Sequence, residues 1–109
     1  MMSINSRIID AVTPIVPVCV PAGYDGEAEI YTTFNINSIP MGFGDGKPRC
    51  LRCMVQLHAF FPEGYSSLKT RRNLARAILA AGFTYPTEED ASDDVGQHYV
   101  LEFEGIGEA

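Results

Sequence analysis

Cys50-Leu51-Arg52-Cys53-Met54-Val55-Gln56-Leu57-His58-Ala59-Phe60-Phe61 is the stretch on which the fold turns. At period two, Leu51, Cys53, Val55, Leu57, Ala59 and Phe61 make one face, and Cys50, Arg52, Met54, Gln56, His58 and Phe60 make the other. Successive strand side chains point to opposite sides, so this alternation predicts a long strand with one uniformly apolar face. That face must be covered, and helices are the natural cover. Pro62-Glu63-Gly64 then predicts a turn.

Upstream, Ile30, Thr32, Phe34 and Ile36 alternate with Tyr31, Thr33, Asn35 and Asn37, which predicts a half-buried strand. Between the two strands runs the glycine-rich stretch 40–48, expected as a flexible projecting loop of the kind that carries contacts. Gly23-Tyr24-Asp25-Gly26 predicts a turn. Before it, residues 15–21 are apolar but pinned by Pro17 and Pro21, which suits an edge strand or an extended connection. The first element is a short amphipathic helix capped by Ser3, with Ile4, Ile8, Ile9 and Val12 at helical spacing and Pro14 ending it.

Downstream, Ser66 or Ser67 caps a second helix whose apolar face is expected from Leu68, Ala75, Ile78 and Leu79. Gly82 stands where a left-handed cap belongs. Phe83 and Tyr85 begin a short extended piece, and the acidic residues 87–94 are expected as a mobile loop. Tyr99, Leu101 and Phe103 alternate with His98, Val100, Glu102 and Glu104, giving a last strand. The expected class is α+β: one mixed or antiparallel sheet flanked by two helices, in the order α-β-β-β-α-β, with one weak edge strand.

The chain of 109 residues fits a single domain spanning residues 1–109, and with 46% hydrophobic residues it can bury a modest core unaided. No apolar run approaches the roughly 18 residues that a membrane span needs. The opening Met1-Met2-Ser3-Ile4-Asn5-Ser6-Arg7 lacks the basic-then-apolar order of a secretion signal. Cys19, Cys50 and Cys53 are an odd number, as expected for reduced thiols in a cytosolic compartment. A net charge of −6 argues against a nucleic-acid surface spread over the whole domain.

The spacing Cys50-Leu51-Arg52-Cys53 is that of a zinc-ribbon half-site, where a tight turn aims two thiolates at one metal. Inside an alternating strand, however, residues three apart face opposite ways, and no second ligand pair of matching spacing exists. Neither a metal nor a cofactor is expected. His58 and His98 fall on polar strand faces with no nucleophile beside them, so they are expected at a surface or interface, and no enzyme constellation emerges. Gly42, Gly44 and Gly46 alternate, but no helix follows them as a phosphate-binding loop requires.

Charge is more informative. Lys69, Arg71, Arg72 and Arg76 are four of the eight cations, on one helix, while Glu88, Glu89, Asp90, Asp93, Asp94, Glu102, Glu104 and Glu108 crowd the C-terminal part. This division suits head-to-tail pairing of identical subunits, which can close into rings, although pairing within one subunit would produce the same pattern. The candidate self-association residues are therefore Lys69, Arg71, Arg72 and Arg76, then Glu88, Glu89 and Asp90, and Gly42, Phe43, Gly44 and Lys47 of the loop. Met54 and Phe60 among Arg52, Gln56 and His58 add a mixed, interface-like strand face.

Several phrases carry a resemblance. They are Ile8-Ile9-Asp10-Ala11 on the opening helix, Tyr31-Thr32-Thr33-Phe34-Asn35, Gln56-Leu57-His58-Ala59-Phe60-Phe61, and Leu68-Lys69-Thr70-Arg71-Arg72. Ala80-Ala81-Gly82-Phe83-Thr84-Tyr85-Pro86 and Tyr99-Val100-Leu101-Glu102-Phe103-Glu104 complete them. In pattern and order the chain resembles the small tail-completion or tail-terminator proteins at the head–tail junction of long-tailed bacteriophages. The resemblance implies a virion subunit, made in the host cytoplasm, that assembles with itself into a ring, commonly a hexamer. That ring would cap the tail tube protein, stop its polymerisation and offer the surface where a neck or head-completion protein docks. DNA would cross an acidic lumen without specific binding. The cysteine-bearing start of the long strand and the short C-terminus depart from the family pattern. One alternative is a neck or head-closure subunit one ring higher. Another is a small cytosolic binding or regulatory domain holding a metal through Cys50 and Cys53.

Overall fold

The computed structural model describes residues 3–108. Met1 and Met2, the start of the segment read for a secretion signal, and Ala109 lie outside them. The elements are α1 (Ile4–Val12), β1 (Cys19–Pro21), β2 (Tyr31–Met41), β3 (Cys50–Pro62), α2 (Leu68–Ala80), β4 (Thr87–Asp90) and β5 (Gly96–Glu108). The strands form one five-stranded sheet in the order β1-β2-β3-β5-β4, antiparallel except for the parallel β1–β2 pair. The class is α+β with a mixed sheet, in the expected element order plus one added strand.

β3 lies at the centre, and its apolar face is buried as the alternation requires: Cys53, Val55, Leu57, Ala59 and Phe61 are each no more than 3% exposed. Val55, Leu57, Ala59 and Phe61 join Phe34, Leu101 and Phe103 from neighbouring strands with Ile8 and Val12 of α1 and Leu74 and Ile78 of α2 in one core. Both helices therefore cover the same face, and among the described residues no helix covers the other, the bare face. β3 and β5 run 13 residues each, about 43 Å at the usual rise per residue. This is why the molecule measures 54 × 25 × 22 Å.

Caps and turns follow local chemistry. The Ser3 hydroxyl accepts from the Ser6 N–H at 3.1 Å and starts α1, as expected. Gly82 (φ 95°) ends α2 in a Schellman arrangement, its N–H on the Leu79 carbonyl and the Phe83 N–H on that of Ile78. Ser67 begins α2 without a capping bond to the helix. Its hydroxyl instead donates to Gln97 Oε1 at 2.6 Å, tying the helix start to β5.

Four expectations are corrected. Residues 87–90 are not loop but the edge strand β4, held by pairing with Tyr99–Glu102 register partners; all four side chains are exposed, so burial leaves no alternation to read. β2 continues through Ser38 to Met41 into the stretch assigned to the loop. Pro40 fits there because β1 pairs only with Thr32, Thr33 and Phe34, which leaves the rest of β2 at an edge. The remaining residues close as a tight hairpin, with Gly44 and Lys47 exchanging backbone bonds of 2.8 and 3.0 Å around Asp45 and Gly46. Both central residues have positive φ (52° and 74°), the requirement of the turn that Asp-Gly serves best, so Gly46 is a turn residue and not a source of slack. On α2 the buried residues are Leu74, Ala75 and Ile78, whereas Leu68 and Leu79 are about half exposed. At 100° per residue those two fall roughly 70–90° from the centre of the buried face.

Candidate assembly interface

The cations of α2 divide into two groups. Arg71 turns toward the sheet edge, where its guanidinium pairs with Glu88 of β4 and lies 3.9 Å over the Tyr99 ring. Its Nε donates to the Ser67 hydroxyl at 3.1 Å. Arg71 and Glu88 are thus joined within one subunit. Lys69, Arg72 and Arg76 are exposed on the outer side of the helix, and among the described residues none of them forms an ion pair.

Of the eight carboxylates of the C-terminal part, four lie on the other side of the sheet, whereas Glu88 and Asp90, opposite Leu101 and Tyr99, share the helix side. Register places Glu102, Glu104 and Glu108 of β5 on the bare face with Gln56, Met54 and Cys50 of β3, and Glu89 of β4 opposite Val100 joins them. Glu104 is engaged by Arg52 through two bonds of 3.2 and 2.6 Å, which raise the Arg52 pKa above its ordinary value. Asp90 accepts from the Ser92 N–H at 2.9 Å, and hydrogen bonding to Ser92 lowers its pKa. The hairpin tip with Gly42, Phe43, Gly44 and Lys47 extends beyond Met41 and Cys50, six register steps or about 20 Å from the Thr87 pairing on β5. Phe43 stands 64% exposed there. The candidate residues therefore fall into three places, and the Arg71–Glu88 ion pair joins two of them.

A fourth feature escaped the sequence reading. Tyr31 of β2, Phe60 of β3 and His98 of β5 stack across the bare face with centroid separations of 4.6 and 4.3 Å, and Tyr24 extends the row. His58 Nδ1 lies 2.8 Å from His98 Nε2, and its Nε2 lies 3.3 Å from Asn35 Oδ1. Burial, followed by the nearby charge of His98, lowers the His58 pKa. Alternation assigned these residues to the outer face; the pairings of Phe60 with Tyr31 and with His98 bring them together.

The thiols sit apart. Cys53 is buried on the helix side with its Sγ 3.7 Å from Ser38 Oγ, whereas Cys50 is half-buried on the bare side with its Sγ 3.8 Å from the Met41 carbonyl. Cys19 is buried, and desolvation raises its pKa, keeping it an inert thiol. Among the described residues no three His, Cys, Asp or Glu side chains cluster as metal ligands.

No protein-family model matches the chain, and no curated protein matches its sequence.

Proposed function

We propose that this chain is a structural subunit of a ring at the head–tail junction of a long-tailed bacteriophage. The ring caps the tail tube, stops its polymerisation and offers the surface on which the head docks. The observation that carries this reading is the separation of charge between two faces of a thin subunit. Lys69, Arg72 and Arg76, without ion-pair partners among the described residues, project from the helical face, and Glu89, Glu102 and Glu108 from the bare face of the sheet. Two different, complementary surfaces are what a head-to-tail contact needs, and such contacts close into rings when the rotation permits. The bare sheet face and the projecting hairpin supply further surface for the tube protein and for the neck protein. The excess of carboxylates over cations turns DNA phosphates away from the wall they pass.

The test is polymerisation of the tail tube protein with and without the purified chain. Tubes that stop growing and carry an extra ring at one end are the expected result. Tubes of equal length with bare ends in both reactions would remove the capping role.

A further inference from the structure

One end of the bare face carries a groove of about 380 Å³ between β2, β3 and the β4–β5 turn. Glu29, Tyr31, Phe60, Asp93, Val95 and His98 line it. Its apolar wall is held in advance, because the rings of Tyr31, Phe60 and His98 are stacked on one another across three strands. Little side-chain entropy then remains to be lost when something covers that wall. At the rim Val95 is 89% exposed, unusual for an aliphatic side chain with no partner. Glu29 and Asp93 add two carboxylates, and neither has a cationic partner among the described residues. One Asp93 oxygen accepts from the Val95 and Gly96 N–H groups, which fixes its position in the turn.

An apolar wall beneath fixed carboxylates suits a long cationic side chain, whose methylene stem lies on the rings while its head reaches the acids. The chain already uses this chemistry internally, where Arg71 lies over Tyr99 and pairs with Glu88. On the opposite face α2 presents Lys69, Arg72 and Arg76 at positions i, i+3 and i+7, one exposed stripe without partners among the described residues. Exposed Leu68 and Leu79 flank that stripe and supply the apolar surface that the rings and Val95 need.

We infer that this groove receives the α2 stripe of a second copy of the chain, Arg72 and Arg76 foremost. The contact rests on the ring reading above and deepens it by naming both of its surfaces. Because groove and stripe lie on opposite faces of one subunit, each copy offers one of each, and the contact propagates head to tail.

The test is a dilution series of the purified chain from millimolar concentration, followed by sedimentation and by amide chemical shifts. The expected result is an association that weakens with added salt, with concentration-dependent shifts at Tyr31, Phe60, Val95 and His98 and along α2. The variant Arg72→Glu/Arg76→Glu and the variant Glu29→Lys/Val95→Lys should each raise the dissociation constant about tenfold or more. A chain carrying all four changes should recover most of the loss, since the two surfaces are then complementary in the reverse sense. Unchanged circular dichroism shows that the variants fold. Asp93 is kept in all of them because it holds the turn. A chain that stays monomeric at millimolar concentration, or associates equally well in both variants, overturns the contact. Failure of the ring reading looks different, as self-association through these surfaces together with tails of normal length when the chain is missing.

Discussion

Gly105→Ala on β5 should unfold the protein more easily, by an amount set by one aromatic ring. A Cβ built on Gly105 comes 2.4 Å from Phe83 Cδ1 and 2.6 Å from Cε1, whereas carbon atoms in contact prefer about 3.5–4.0 Å. The ring must therefore retreat by about 1 Å, and it is confined. Phe83 is 3% exposed, meets Phe103 edge-on at 5.1 Å, lies under the Arg7 guanidinium at 4.5 Å, and anchors the end of α2. Overpacking at such a site costs about 1–3 kcal/mol. Removing the backbone freedom of glycine returns roughly 0.5–1 kcal/mol. The net loss is centred on about 1 kcal/mol, within bounds of roughly 0 and 2.5 kcal/mol, and each kcal/mol lowers the thermal midpoint of a domain this size by about 4–8 °C. Urea unfolding should show a lower midpoint at unchanged slope. In a Phe83→Leu background the same substitution should cost markedly less, a coupling of at least about 0.5 kcal/mol. A Gly105→Ala protein as stable as the parent, or equal penalties in both backgrounds, would refute the assignment of the clash to Phe83.

Arg71→Ala should cost about 1–2 kcal/mol in urea unfolding, since it removes the Glu88 pair, the cover over Tyr99 and a bond to Ser67. Exposed Arg72→Ala should stay within about 0.5 kcal/mol of the parent. The lowered pKa of His58 means that the unfolded chain binds its proton more readily than the folded one. Its contribution to stability is complete above pH about 6.5 and is lost as the pH falls through the lower folded value. Unfolding measured at pH 7.5 and pH 5 should therefore lose part of its difference in His58→Gln; an identical difference would show that His58 is not the group. Because Cys50 and Cys53 lie on opposite faces of β3, excess zinc should leave the thermal midpoint unmoved, and a rise of several degrees would bring the metal-binding alternative forward.

The parts of the fold that were legible are those where burial enforces a period. Leu51 to Phe61 alternate over the length of β3 because one face meets two helices and the other meets water. Gly82 announced the end of α2 because few other residues adopt its φ. What stayed hidden rests on pairing instead of burial. β4 is four exposed polar residues whose strand form is owed to hydrogen bonds with β5. The hairpin could have been read, since Asp45-Gly46 is a strong signal for a two-residue turn; three alternating glycines masked it. Leu74 was missed because Leu68 and Leu79 suggested a face displaced from the real one. The candidate interface was half legible. The cationic stripe is local in sequence, but its proposed receptor joins Glu29, Phe60 and Asp93 from three distant segments. Its geometry depends on a register that no sequence period states.

Electron microscopy of particles made in the absence of this chain tests the central proposal most directly. Overlong tails, or tails of normal width left unjoined to heads, are the expected result. Tails of normal length joined normally to heads would contradict it.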